Sequence, residues 1–277
     1  SIDLISFYRT NSGYLINRDW ELRKMNNRID IDFEHKYKYH EGSGTLNVLF
    51  QSSSIGSEYD YNKITFIAKN NNSLKKIKIK TRLFFQLGSG TKWAEESKLS
   101  LAGANYEEMM SSKFTRADGI VNSDNFDYEF TTNKFHSSGG LNLRGYSGYL
   151  APEFNKDGTI KSFDYNGTSG AAFNTEIDFT HYLPYVLRNN KIKSYLFADA
   201  GIITSKNITV ENYKNAFSDL RADAGIGFTY TLDNFGPLES INPFVIRFDM
   251  PFFLNRAPAT DEDFLQMRWL IGINKAF

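Results

Sequence analysis

The feature that most constrains the fold is a run of long segments in the last third, in which apolar and polar residues alternate without a break. Phe173, Thr175, Ile177 and Phe179 alternate with Asn174, Glu176, Asp178 and Thr180. Leu196, Ala198, Ala200 and Ile202 oppose Tyr195, Phe197, Asp199 and Gly201. Leu220, Ala222, Ala224, Ile226, Phe228, Tyr230 and Leu232 oppose Arg221, Asp223, Gly225, Gly227, Thr229 and Thr231. Phe244, Ile246, Phe248, Met250 and Phe252 repeat the pattern, as do Leu265, Met267, Trp269, Ile271 and Ile273. A period of two places successive side chains on opposite faces of a strand, so each segment has one apolar and one polar face. Several approach or exceed the roughly 9–11 residues with which a barrel strand crosses a bilayer, and exceed the roughly 5–6 of a common globular strand.

The bulk numbers fit one-sided strands. Aromatic residues make up 16% of the 277 residues, yet the mean hydropathy is −0.44. The formal net charge is zero, which gives no reason to expect a nucleic-acid partner. Cysteine is absent, so disulfides and thiolate metal sites are excluded. No apolar run reaches the roughly 18 residues of a transmembrane helix, a criterion that does not apply to barrel strands. No signal peptide is visible at Ser1, so an exported protein of this sequence is expected to be a mature or partial chain.

Earlier in the chain, 2–8 reads as a strand. From Arg28, Ile29, Ile31, Phe33, Tyr37 and Tyr39 share one face, and Asp30, Asp32, Glu34, Lys36 and Lys38 the other. Strands are expected at 45–53 and 59–69, with turns at 41–44 and 70–73. In 75–87, Ile77, Ile79, Leu83, Phe85 and Leu87 alternate with Lys76, Lys78, Lys80 and Arg82. In a barrel this basic row would line a wet lumen facing acidic partners. Residues 88–138 are polar and irregular, with short strands expected at 98–102 and 128–132, and loop continues to 170. Long loops (139–170, 205–217, 255–261) interleave with shorter joints (184–191, 233–241), an asymmetry of transmembrane barrels. The expected fold is all-β, a single antiparallel transmembrane β-barrel domain over 1–277. Ten strands are visible, or twelve if the insertion adds a hairpin, with 88–170 as a long extracellular loop region that enters the lumen.

Within that region, Gly139-Gly140-Leu141-Asn142-Leu143-Arg144-Gly145-Tyr146 is glycine-rich with one arginine. Its spacing is neither the dinucleotide fingerprint nor a P-loop. Gly139-Gly140 followed by Leu143-Arg144-Gly145-Tyr146 resembles the Gly-Gly, then hydrophobic-Arg-Gly-aromatic, loop motif of the outer-membrane protein 85 superfamily. Phe197-Ala198-Asp199-Ala200-Gly201 resembles that family's Phe-x-Asp-x-Gly strand. Gly225-Ile226-Gly227 and Phe235-Gly236-Pro237-Leu238 resemble the following strand and periplasmic turn. The closing strand, with Trp269, Ile271 and Phe277, resembles the C-terminal signal read during outer-membrane insertion.

The resemblance covers 139–277 and is weak before it. It implies that Arg144 is latched inside the lumen by Asp199, with Asp178 as second acceptor. Gly145 and Gly201 would allow close backbone approach, and Tyr146 and Phe197 would pack beside the pair. It also implies a bacterial outer-membrane location, a surface-antigen type of barrel, and a role in protein insertion or secretion. Expected partners are outer-membrane lipid and lipopolysaccharide, the barrel assembly machinery for its own insertion, and other outer-membrane or periplasmic subunits. Family barrels usually have sixteen strands and often carry periplasmic transport modules, neither of which is found here, so the chain reads as part of a longer protein or a smaller relative. The rival expectation is a non-transporting barrel that anchors a periplasmic enzyme, as in Bacteroidetes-type peptidase fusions, or serves as a subunit of a larger complex. A soluble β-sandwich or lipocalin-like binder is the third.

No catalytic, metal or cofactor site is expected. There is no His-Glu-x-x-His, and His35, His40, His136 and His181 lie in different elements. Gly145-Tyr146-Ser147-Gly148-Tyr149 lacks the last glycine of a nucleophile elbow. Asp261-Glu262-Asp263 reads as a solvated loop.

Overall fold

The computed structural model describes residues 1–8, 21–53, 56–111, 135–147, 153–154, 157, 160–162, 165–183, 191–204, 217–232, 244–256, 264–274 and 276–277. The readings made above at 128–132, 235–238 and 261–263 lie outside them.

Alternation becomes one antiparallel sheet of ten strands. In chain order these are β1 (Ile2–Tyr8), β2 (Met25–Tyr39), β3 (Gly42–Ser52), β4 (Asp60–Leu74), β5 (Ile77–Lys92), β10 (Ser169–Asp178), β11 (Ile192–Thr204), β12 (Arg221–Leu232), β13 (Phe244–Leu254) and β14 (Leu270–Ile273). Each pairs with the next in this series. The short strands between β5 and β10 form two separate pairs: β6 (Leu99–Ser100) with β9 (Asn166–Gly167), and β7 (Glu153–Phe154) with β8 (Ile160–Ser162). Among the described residues no ladder joins β1 to β14, so these strands are the edges of the sheet. Among the described residues, helix is confined to α1 (Tyr106–Ser111) and three single 3-10 turns. Asn105 caps α1: its Oδ1 accepts the Glu108 N–H at 2.8 Å, and Glu108 Oε2 accepts the Asn105 N–H at 2.8 Å.

Local boundaries differ from the sequence reading in the first half. The Asn70-Asn71-Asn72 stretch is strand rather than turn, because each asparagine has a ladder partner in β3 and β5. The reversal falls instead at Lys75-Lys76, where Lys75 adopts a left-handed φ of 55°. Lys76 therefore sits in a turn and is not part of the basic row along β5.

The two faces of the sheet are inverted relative to a water-soluble protein. One face is covered by the described parts of the insertion between β5 and β10 (93–111, 135–147 and 165–168) and holds the charged side chains: Arg28, Asp30, Lys63, Arg82, Glu176, Asp199, Asp223, Arg247 and Asp249 are all buried. The other face is open and apolar, carrying Ile64, Leu83, Phe85, Phe173, Leu196, Phe248 and Ile271, each more than one-third exposed. Such a band far exceeds the scattered surface apolars that need no explanation. Phe248 and Trp269 stack on it, with ring centroids 6.2 Å apart.

The apolar core lies where the insertion meets the covered face. Leu99, Leu101, Leu141, Leu143 and Tyr146 pack against Phe84, Ala172, Ile203 and Leu254. Each fully buried leucine contributes about 1.5–3 kcal/mol relative to exposure. The glycine-rich stretch is thereby pressed onto the sheet.

Candidate functional site: a buried arginine latch

The local backbone delivers the arginine. Gly140 has φ +50°, and a Cβ there would lie 2.5 Å from the carbonyl oxygens of both Ser100 and Gly103, so this turn requires glycine. Asn142 follows in the left-handed region at φ 59°. Leu141 and Leu143 donate their N–H groups to the Ser100 and Leu101 carbonyls, both at 3.1 Å. Arg144–Tyr146 then forms a single 3-10 turn against the sheet.

Arg144 is 0% exposed. Its Nε and Nη2 donate to Asp199 Oδ2 and Oδ1 at 2.7 and 3.1 Å, a bidentate fork, and its backbone N–H donates to Asp199 Oδ2 at 3.4 Å. Nη1 donates to Glu176 Oε1 at 2.9 Å, and Asp249 Oδ1 lies 3.9 Å from the same nitrogen. The guanidinium carbon stands 4.0 Å from the centroid of the Phe197 ring. Burial opposes the charge, but Asp199, then Asp249 and Glu176, outweigh it and hold the Arg144 pKa well above its ordinary value.

Strand register explains which carboxylates are reached. Asn174 pairs with Asp199, Glu176 with Phe197, and Asp178 with Tyr195. A guanidinium seated over Phe197 therefore has Asp199 on one side and Glu176 beneath it. The second acceptor is Glu176 and not Asp178, which lies one further step along the same face at the end of β10. There Asp178 Oδ1 accepts the Thr180 N–H at 3.0 Å.

The other expected residues divide in the same way. A Cβ on Gly145 would lie 2.6 Å from Asp223 Cβ, and one on Gly201 would sit 2.9 Å from the Ala171 carbonyl oxygen. Tyr146 reaches across to donate to Asn255 Oδ1 at 2.8 Å. On β12, a Cβ at Gly225 would lie 2.6 Å from Phe197 Cζ, and one at Gly227 would collide with the Tyr195 ring. These two glycines leave room for both rings beneath the latch. Of the basic row, Lys80 Nζ donates to Glu176 Oε2 at 2.6 Å, while Lys76 and Lys78 are exposed. Arg82 clamps the glycine-rich loop, donating to the Gly140 carbonyl at 2.7 Å and to Asn174 Oδ1 at 2.8 Å. Trp269 and Ile271 lie on the open face. Phe277 does not continue that face: Asn274 turns the chain at φ 68°, and Ala276 is buried, its carbonyl accepting from Asn142 Nδ2 at 3.3 Å.

Several participants carried no local signal. Asn174 Nδ2 donates to the Leu141 and Asn142 carbonyls at 3.2 and 3.1 Å and to Asp199 Oδ1 at 3.1 Å. Asp249 accepts from Tyr195 Oη at 2.5 Å and lies 3.1 Å from Arg247 Nε. Their position on the polar face of β10 and β13 was legible; their partners depended on register.

His136, also in the insertion, donates its backbone N–H to the Ile271 carbonyl at 2.8 Å, and its Nδ1 lies 2.5 Å from Arg247 Nη2. Burial, then the charges of Arg247 and Arg144, pushes the imidazole pKa well below its usual 6.5. The folded chain thus refuses a proton that the unfolded chain accepts. The associated stability is intact above pH 6.5 and is lost as the pH falls below it, at up to about 1.4 kcal/mol per unit. Unfolding at pH 7.0 and 5.5 should differ by about 1 kcal/mol less in His136→Gln than in the parent chain. An unchanged difference would remove His136 as its source.

The site contains charge, pairing and close packing but no nucleophile–base pair at an open cleft, and no group of three metal-ligating side chains occurs among the described residues. What it can do chemically is hold one polypeptide segment against a sheet. In comparisons with known proteins, no family model matches this chain and no curated protein does.

Proposed function

We propose that this chain is a bacterial outer-membrane β-barrel, or the barrel-forming part of a longer one, whose insertion 93–168 is held in the lumen by Arg144. The observation that carries the reading is the inversion of the sheet, with apolar side chains exposed on one face and ion pairs buried on the other. A bilayer would cover the open face, and a closed sheet would leave no strand edge in hydrocarbon. Connection lengths add support. The turns 40–41 and 75–76 and the joints 179–191 and 233–243 share one end of the strands, whereas 9–24, 53–59, 93–168, 205–220 and 255–269 share the other, which holds the four longest of these connections. In outer-membrane barrels the longer loops are extracellular. The insertion would then enter from the cell exterior.

The role that fits the family resemblance is insertion or translocation of proteins at the outer membrane. A second reading, a non-transporting barrel that anchors a periplasmic domain or joins a larger complex, is favoured by the filling of the covered face. The cavity beside Lys80, Glu176 and Tyr195 measures about 30 Å³, and one between Ser100, Asn105 and Ser147 about 80 Å³. These hold waters rather than a polypeptide.

Cell fractionation tests the shared part. The protein should be recovered with the outer membrane, require detergent for extraction, and migrate faster on gels before boiling than after. Recovery in the soluble fraction with no heat-dependent shift would sink the membrane reading and leave the soluble β-sandwich. Transport modules encoded upstream would favour insertion or secretion; a zinc-peptidase motif there would favour the anchor.

A further inference from the structure

The Arg144 latch accounts for only one of the insertion's charged contacts with the sheet. A second lies on β2 and β4. Glu107 of α1 forms an ion pair with Arg28 Nη1, and its Oε2 lies 4.0 Å from Lys63 Nζ. Lys63 Nζ also donates to the Ser97 carbonyl at 3.2 Å, and Asn26 Nδ2 donates to Glu96 Oε1 at 2.6 Å. Tyr61 Oη sits 3.0 Å from Ser97 Oγ. All of these side chains are buried. Arg28 is oriented from behind by Asp30, at 2.7 and 3.0 Å, and Asp30 in turn accepts from Gln51 at 2.8 Å.

The signs at the two contacts are reversed. Toward β2 and β4 the insertion presents carboxylates, Glu107 to the sheet cations Arg28 and Lys63 and Glu96 to the Asn26 amide. Toward β10, β11 and β13 it presents a cation (Arg144) to carboxylates of the sheet (Glu176, Asp199, Asp249). A reversed docking would place like charges together without solvent, which costs several kcal/mol. The two contacts lie on opposite sides of β5, where Arg82 holds Gly140 at the midpoint.

We infer that the insertion is a polarised keystone, which ties the β1–β4 arm of the sheet to the β10–β14 arm through two ion-pair clusters of opposite sign and so fixes their relative placement. The inference does not require a membrane: the arms lie far apart in the sheet whatever covers the open face. Its consequence is that each cluster secures its own arm.

Hydrogen exchange on the intact, folded protein reads this out by segment. Glu107→Gln should speed exchange in 25–30 and 60–66 about tenfold while leaving 194–204 and 244–254 within about twofold. Arg144→Gln should do the reverse. Glu107→Lys, which sets a cation against Arg28 and Lys63, should exceed Glu107→Gln in the same segments. Should Arg144→Gln not fold, Glu176→Gln replaces it as a milder change to the same cluster. Unchanged exchange in 25–30 and 60–66 on Glu107→Gln would overturn the keystone, as would equal acceleration of both arms by either variant. Failure of the fractionation test would leave this result untouched, so the two can fail separately.

Discussion

Asp199→Ala is expected to lower the unfolding free energy by about 3–5 kcal/mol, the cost of stranding one member of a buried ion pair. The guanidinium would keep Glu176 at 2.9 Å but lose both arms of its fork to Asp199. It cannot shed its charge, because arginine stays protonated in proteins. Arg144→Ala should cost a similar amount, for it leaves Asp199, Glu176 and Asp249 facing one another without the cation that separates them. The informative variant is the double mutant, which removes charge and countercharge together. If the pair is direct, the double mutant is little worse than either single one, so the coupling energy is about as large as one single loss, about 3 kcal/mol or more. Denaturant unfolding of the four proteins measures it. Additive losses would mean that Arg144 and Asp199 act through separate partners, against the geometry.

The pair should not be read as a source of net stability. Desolvating an arginine and three carboxylates offsets most of what their attraction returns. Its contribution is selective: a loop shifted by one residue would leave a guanidinium buried in the wrong place. The apolar anchors Leu141, Leu143 and Tyr146 supply the adhesion, and Arg144 sets the register.

How much of this was legible in the sequence follows from which interactions are periodic. Alternation along 173–179, 195–202, 220–232 and 244–252 records which side of the sheet each residue faces, so β10, β11, β12 and β13, and the polar-face position of Asp199, could be read directly. The pairing of Arg144 with Asp199 could not be read from spacing; it came with the family resemblance. The choice of Glu176 over Asp178 depends on the register that places Phe197 opposite Glu176. Register is a relation between strands and leaves no mark within either one. The turn placed at 70–73 failed because asparagine favours turns locally, while the ladder to β3 and β5 outweighs that preference. The closing strand stops short of Phe277 because one left-handed residue, Asn274, breaks the parity that a strand pattern assumes. Arg28, Lys63 and Glu107 went unremarked because each belongs to an ordinary-looking charged stretch, and only the folded insertion brings α1 onto β2 and β4.

The central claim is that the open face meets hydrocarbon, and Leu83 tests it most directly. It lies near the middle of β5, faces outward, and is 48% exposed. Tyr39, at the far end of β2, is 44% exposed on the same face. Folding free energies of Leu83→Arg and Tyr39→Arg should be measured against the parent chain in lipid bilayers. The membrane reading predicts a loss of about 2–4 kcal/mol for Leu83→Arg, and only about 0–1 kcal/mol for Tyr39→Arg near the interface. Losses within about 0.5 kcal/mol at both positions, as at a water-facing surface, would contradict it.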